Sequence, residues 1–330
     1  MKAFLDRIME QAQCDPKKIV FPEGSDERVL KAAREVKDTG IAHPILLGRD
    51  SEVREKAARL RISLEGLPIA DPGMSEQLED YARVFYDLRK HKGLTESEAH
   101  QMMTEVSYFG TMMVHMGDAD GLVSGATHTT ADTLRPAFQI IGTAEDYSIA
   151  SSYFIILYGD RIFFYADCGL VIDPNAEELH EIAVSTVRSA RNFGVEPRVA
   201  MLSYSTRGSG HGPSVDKVRL ASSMVKEKIP DLIMDGEIQI DAALVPEVCE
   251  RKCAGSPLGG NANVLIFPDL NSGNIAYKLT ERLVNATALG PFIQGLNKPI
   301  NDLSRGCSAE DIAGVTAVTV IEAQNERISP

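Results

Sequence analysis

The sequence predicts an α/β protein of two domains, each built on a largely parallel sheet. Two observations carry this prediction. Short apolar runs alternate with amphipathic helical segments through the first third of the chain, and a second such series follows Arg198. A change to paired β-rich runs at about residue 150 and a Gly, Asn and Pro cluster from Gly290 to Pro299 mark the boundaries. They give a discontinuous first domain, residues 1–150 and 292–330, around an inserted second domain of residues 151–291.

The opening MKAFLDRIMEQAQC mixes charge with apolar residues and lacks the unbroken apolar stretch and cleavage site of a secretory signal, so it reads as structure. In KKIVFPEG an apolar run closed by Pro22 and Gly24 predicts a strand and turn, and ERVLKAAREVKDTG predicts a helix stopped by Gly40. Pro44 to Gly48 repeats the strand signal before helical mixtures over 50–64 and 75–91. Residues 95–116 place Met102, Met103, Val106, Phe109, Met112, Met113 and Met116 at spacings near three and four, the pattern of helical core packing.

Leu122 and Val123 end a short strand, Gly125 permits a turn, and Thr129 with Asp132 makes a capping-box signature before a helix that carries Arg135. Tyr153–Tyr158 and Arg161–Ala166, separated by Gly159-Asp160, predict an antiparallel hairpin. Asp173 as cap and Pro174 as first residue predict a helix to about Phe193, ended by Gly194. Strands are expected at 198–203, 232–235 and 263–267, with helices near 214–228, 241–253 and 273–289. The final segment, about 308–326, is too short for a domain and is expected to pack back on the first one.

Composition narrows the function classes. The 47 Asp and Glu against 34 Lys and Arg give a net charge of -13, a field that repels nucleic acid and anionic membrane but allows local basic pockets. LRKHKG has no interleaved aromatics and fits a solvated helix face better than a nucleic-acid patch. No apolar run is long enough to span a bilayer, and five irregularly spaced cysteines give no disulfide framework, so a soluble protein of the reducing cytoplasm is expected. Cys249 and Cys253 form a C-x3-C, not a zinc or redox C-x2-C, and none of the seven histidines lies in a metal motif, so no metal is expected. A nucleotide P-loop, a dinucleotide fingerprint and a hydrolase nucleophile elbow are all absent, leaving Ser205 without a hydrolase context.

Polar residues crowd the ends of the predicted strands, where open α/β sheets bind ligands. ATHTTADTLR, SYSTRGSGHG, PDLNSGN and NDLSRGCSAED each join a flexible turn to hydroxyl, amide or cationic groups ahead of a helix. Such turns can hold anions, and ordinary helix caps would equally account for each one taken alone. Taken in order, KIVFPEG, LRKHKG, DGLVSGATHTTADTLRPAFQII, YADCGL, SYSTRGS, VLIFPDLNSGNIAYKL and NDLSRGCSAEDI form a specific set that resembles the phosphate acetyl/butyryltransferase family across nearly the full length.

The resemblance implies reversible acetyl transfer between acetyl-CoA and inorganic phosphate, giving acetyl phosphate and CoA, through a ternary complex in a cleft between two α/β domains. It implies a homodimer, CoA as diffusible co-substrate, no covalently bound cofactor and no metal in the chemistry. Ser304, Arg305 and Asp311 match the family's active-site serine, arginine and aspartate, and Arg89 and Arg135 match its two other functional arginines. Asp311 is then the general base toward the CoA thiol, Ser304 orients the sulfur, and Arg305 stabilises charge on the acyl oxygen. Arg89 and Arg135 suit phosphate, because a planar guanidinium can engage two of its oxygens.

Asn271, Ser272 and Asn274 are candidates to position phosphate or acyl groups, with helix capping as the competing role. Cys168 and Cys307 match positions near the coenzyme and suit packing at least as well as chemistry. Ser308 to Asp311 also reads as a capping box, which gives Asp311 a purely structural alternative. Two other functions fit the resemblance: butyryl transfer, through a modest change in acyl-pocket volume, and non-catalytic sensing of acyl-CoA.

Overall fold

The computed structural model describes residues 2–325. The chain divides into two compact units, one of residues 2–143 with 296–325 and the other of residues 144–295.

The first unit contains α1 (Lys2–Cys14), β1 (Lys17–Phe21), α2 (Glu27–Asp38), β2 (Ala42–Leu47), α3 (Asp50–Leu60), β3 (Ile69–Ala70), α4 (Leu78–Arg89), α5 (Glu96–Met103), α6 (Val106–Met116), β4 (Gly121–Ser124) and α7 (Thr130–Pro136). The second contains β5 (Ser151–Tyr158), β6 (Arg161–Ala166), α8 (Ala176–Asn192), β7 (Arg198–Leu202), α9 (Pro213–Lys228), β8 (Ile233–Ile238), α10 (Ile240–Leu244), α11 (Pro246–Cys253), β9 (Val264–Ile266), α12 (Leu270–Val284) and β10 (Thr287–Gln294). The chain then returns to the first unit with β11 (Ile300–Asp302) and α13 (Ala309–Asn325).

The first unit's sheet runs β11-β4-β1-β2-β3, and every pairing in it is parallel. Its strands are buried apolar runs because helices cover both faces. On one side Phe85, Met103, Phe109 and Met112 are almost fully buried against Val20 and Leu122. On the other, α13 packs on α1, α2 and β4, as expected for the terminal segment. Gly121 permits that approach, since a Cβ there would lie 2.8 Å from the Thr319 methyl.

The sequence order β1, β2, β3 runs outward to one edge, whereas β4 sits on the opposite side of β1. The reversal between β1 and β4 is a topological switch point, where the loops after neighbouring strands leave in opposite directions and open a crevice.

The second unit's sheet runs β10-β5-β6-β9-β7-β8. β6, β9, β7 and β8 are joined by parallel pairings, and the β5–β6 hairpin and β10 are antiparallel.

Several local expectations differ from the structure. The helix expected from Asp173-Pro174 begins at Ala176, capped by Asn175, whose side chain accepts from the Glu178 N–H while Glu178 reaches back to the Asn175 backbone. This reciprocal box satisfies two donors where Asp173 would satisfy one, and Asp173 instead pairs with Lys217 at 2.7 Å. The helix expected to 289 stops at Val284, with Asn285 left-handed at φ 52°. Thr287–Gln294, which overlaps the Gly, Asn and Pro cluster expected at the domain boundary, is an edge strand on β5, with an irregularity between Leu289 and Phe292 at Gly290-Pro291. Proline is tolerated at such an edge because its missing N–H breaks no inner ladder. The helical run over 95–116 breaks at Thr104-Glu105, and Met116 is exposed beyond the core face.

Candidate active site

Three loops leave the C-terminal edge of the first unit's sheet side by side: Pro22–Asp26 after β1, Gly125–Thr129 after β4, and Leu303–Ser308 after β11. The parallel register pairs Ile300 with Leu122 and Asp302 with Ser124, so the last two loops start at the same level. At Gly125, φ is +111° and a Cβ would lie 2.5 Å from Asp302 Oδ1 and 2.7 Å from the Leu303 nitrogen, so only glycine turns here.

Buried Glu23 organises the second loop. Its carboxylate accepts the backbone N–H groups of Gly125, Ala126, Thr127 and His128 and the Thr127 hydroxyl, at 2.6 to 3.1 Å. His128 Nδ1 lies 3.3 Å from the same carboxylate. One side chain thus satisfies a run of donors that would otherwise stand unpaired at the turn.

Arg28 joins the loops from the start of α2. Its Nη1 donates to the Arg305 carbonyl at 2.7 Å and the Cys307 carbonyl at 3.2 Å, its Nη2 donates to the Ala126 carbonyl at 2.7 Å, and Asp26 pairs with it at 3.1 Å. Sequence reasoning missed Glu23 and Arg28, because their partners lie about one hundred to nearly three hundred residues away.

On this frame Ser304, Arg305 and Asp311 are exposed to solvent. The Ser304 hydroxyl accepts the Gly306 N–H at 3.3 Å, and its carbonyl accepts the Cys307 N–H at 2.9 Å, which folds the loop into a turn ahead of α13. Asp311 Oδ2 accepts the Ser308 N–H and the Asp311 N–H donates to Ser308 Oγ, a reciprocal capping box that leaves Oδ1 available. Cys307 is buried, and burial pushes its thiol up against the opposing pull of Arg28.

Arg135 sits on α7, whose start is closed by the expected Thr129–Asp132 box. Arg89 ends α4. Both guanidiniums act on the buried Tyr108 phenol, which burial pushes up while Arg135 and Arg89 pull it down, and whose hydroxyl donates to Gln139 at 3.0 Å. Among the described residues, no carboxylate lies within ion-pair distance of Arg89, Arg135 or Arg305. Arginines left unpaired in an acidic protein are available to an external anion. A cavity of about 550 Å³ opens nearby on the β2 side, lined in part by Glu23, Arg49, Lys56, Thr127 and His128.

The remaining candidates lie in the second unit. Cys168 is fully buried, and its thiol is pushed well up by burial and the charge of Asp167. Asp167 holds the adjoining turn by accepting from Ser152, Gly169, Leu170 and Val171. Asn274 donates to the Cys168 carbonyl at 3.1 Å, and Ser272 is engaged by the cap residue Asp269, while Asn271 is exposed.

Among the described residues, no three His, Cys, Asp or Glu side chains are grouped to hold a metal ion, and no helix is long and apolar enough to cross a membrane.

The chain as a whole has known relatives. The model of a family described as phosphate acetyl/butaryl transferase matches residues 3–320. The chain is 51% identical over 329 residues to a phosphate acetyltransferase of Acetivibrio thermocellus, covering 98% of each protein. It is 52% identical over 329 residues to one from Thermoanaerobacterium thermosaccharolyticum, covering 98% of this chain and 100% of that protein. The solved structure of a phosphotransacetylase from Streptococcus pyogenes superposes with a TM-score of 0.96 at 45% identity, covering 98% of this chain and 99% of that one.

Proposed function

The chain belongs to the phosphate acetyl/butaryl transferase family, and on that premise we propose that it transfers an acetyl group reversibly between acetyl-CoA and inorganic phosphate, giving acetyl phosphate and CoA. The observation that supports this reading within the molecule is Arg305, exposed and without a carboxylate partner, in the Leu303–Ser308 loop that leaves the sheet beside the Pro22–Asp26 and Gly125–Thr129 loops at the switch point.

In the direction that makes acetyl-CoA, the CoA sulfur attacks the carbonyl carbon of acetyl phosphate, Asp311 takes the thiol proton, and inorganic phosphate leaves. Ser304 orients the sulfur by a hydrogen bond, and Arg305 stabilises the negative charge that develops on the acyl oxygen. Arg89 and Arg135 hold the phosphate oxygens. A free thiol near pKa 8.5 lies far above an ordinary aspartate near 3.9, a gap of about 6 kcal/mol for complete proton transfer before attack. Proton removal is therefore coupled to carbon–sulfur bond formation, so that a thiolate never accumulates. Asn271, Ser272 and Asn274 assist in holding the acyl or phosphate group, and Cys168 and Cys307 pack near the coenzyme.

The reading includes a cytoplasmic homodimer. Its support is that all five cysteines are free thiols and that Ile275, Leu279 and Leu283 form an exposed apolar stripe at every fourth residue of α12.

Phosphate-dependent release of free thiol from acetyl-CoA tests the activity, with butyryl-CoA assayed in parallel. Efficiency tenfold higher with butyryl-CoA, a difference of about 1.4 kcal/mol in transition-state binding, would reassign the acyl group. Coenzyme binding without turnover would make the chain a sensor.

A further inference from the structure

Asp302 is the last residue of β11, two positions before Ser304, and only 2% of it is exposed. Its Oδ2 accepts the Thr130 hydroxyl at 2.6 Å, across 172 residues of chain, and Thr130 is the first residue of α7, the helix that bears Arg135. Its Oδ1 is buried without a hydrogen bond of good geometry in the protein, as are the hydroxyls of Ser124 on β4 and of Thr133, a second α7 residue beside Asp302. Ser124 is directly opposite Asp302 in the strand register. The space between the two strands is closed by Gly125, where any side chain would strike Oδ1.

A carboxyl buried this deeply, with one oxygen lacking a well-formed hydrogen bond, is costly to keep. Burial pushes it up; the Thr130 and Thr133 hydroxyls of α7 and the Leu303 N–H oppose this, and the negative charge of Glu23 adds to it. An apolar residue in this position would serve β11 and the core without that cost, so the acceptor oxygen toward α7 needs a reason.

We infer that Asp302 is a positioning residue: through Thr130 it locks the helix bearing Arg135 to the strand that delivers Ser304 and Arg305, and so sets the spacing between the phosphate-binding arginine and the acyl-handling pair. This rests on the acetyl-transfer reading given above. A fixed spacing matters because a displacement of about 1 Å between reacting groups can cost on the order of a hundredfold in rate. Neither Asp302 nor Thr130 needs to touch a substrate.

A double-mutant cycle tests the lock. Asp302→Ala and Thr130→Val are each expected to raise KM for phosphate about tenfold, with KM for acetyl-CoA changed less than twofold. The double variant should be no worse than the poorer single one, since both remove the same contact. Asp302→Asn keeps an acceptor oxygen and should stay within about threefold of the parent. Additive losses, equal rises in both KM values, or an Asp302→Asn variant as impaired as the alanine would each overturn the proposal. Should Asp302→Ala fail to fold, Thr130→Val decides, and an unchanged phosphate KM refutes the lock. Absence of phosphate-dependent turnover in the parent chain would refute the acetyl-transfer reading itself. Calorimetric titration of the same variants with inorganic phosphate would still rank them and so test the lock without turnover.

Discussion

The Asp311 carboxylate and Ser308 cap each other: the Ser308 N–H donates to Asp311 Oδ2 at 2.9 Å, and the Asp311 N–H donates to Ser308 Oγ at 3.1 Å. The box fixes one oxygen of the carboxylate at the start of α13 and leaves the other outside it, so the capping role of Asp311 and its proposed role as base fall on different atoms. Asp311→Asn keeps an oxygen for the Ser308 N–H but removes the base. It should unfold within about 0.5 kcal/mol of the parent while turnover falls a hundredfold or more, whereas Asp311→Ala should lose turnover and about 1 kcal/mol of stability as well. Urea unfolding alongside thiol-release assays separates the two, and near-parental turnover in Asp311→Asn would remove Asp311 from the base role.

Glu23 predicts a different outcome. Its carboxylate gathers five donors of the Gly125–His128 loop. A glutamine offers one oxygen in place of two and adds an N–H₂ that would face those donors. Glu23→Gln should therefore cost about 2 to 4 kcal/mol in denaturant unfolding, and should lower turnover by misplacing the loop that leads to Arg135. Unchanged unfolding would show that the loop holds its own shape.

Cys168 should be chemically quiet. Its thiol is fully buried and pushed well up, so little thiolate exists near neutral pH. Cys168→Ala is expected to retain at least a third of parental turnover, and mass spectrometry after brief iodoacetamide treatment at pH 8 should find Cys168 unmodified while exposed Cys14 reacts. A turnover loss matching that of Asp311→Ala would overturn this.

Glu237 gives a pH dependence with a definite sign. Burial pushes its carboxyl up, but the Arg219 guanidinium at 3.0 Å, the Gly208 N–H and the Ser205 hydroxyl outweigh that and hold it at about 2, below its ordinary 4.5. A depressed carboxyl contributes stability that is fully present above its unfolded value and is lost as pH falls toward the folded one. The parent's thermal midpoint should thus fall more steeply between pH 5 and pH 2 than that of Glu237→Gln. With Arg219 partly exposed and screened, the difference near pH 7 should be about 2 kcal/mol. Parallel midpoint curves would contradict the assignment.

What the sequence determined by itself was local: the β1 and β4 runs, the turn at Gly125, the capping boxes at Thr129–Asp132 and Ser308–Asp311, and the ordered motifs that carry the family. Each depends on residues within a few positions of one another, where backbone sterics and side-chain-to-backbone bonds operate. The same logic failed where two local solutions competed, as at Asp173 against Asn175, and where sheet pairing overrode a helical expectation, as at Thr287–Leu289. Tertiary structure alone decided that Glu23 would cradle a loop 102 to 105 residues away, that Arg28 would hold carbonyls 277 and 279 residues away, and that Asp302 would meet Thr130. These contacts exist because a parallel sheet with a strand-order reversal brings the ends of β1, β4 and β11 together. Buried polar groups at that edge must then find partners across space, and no spacing along the chain records which partners those are.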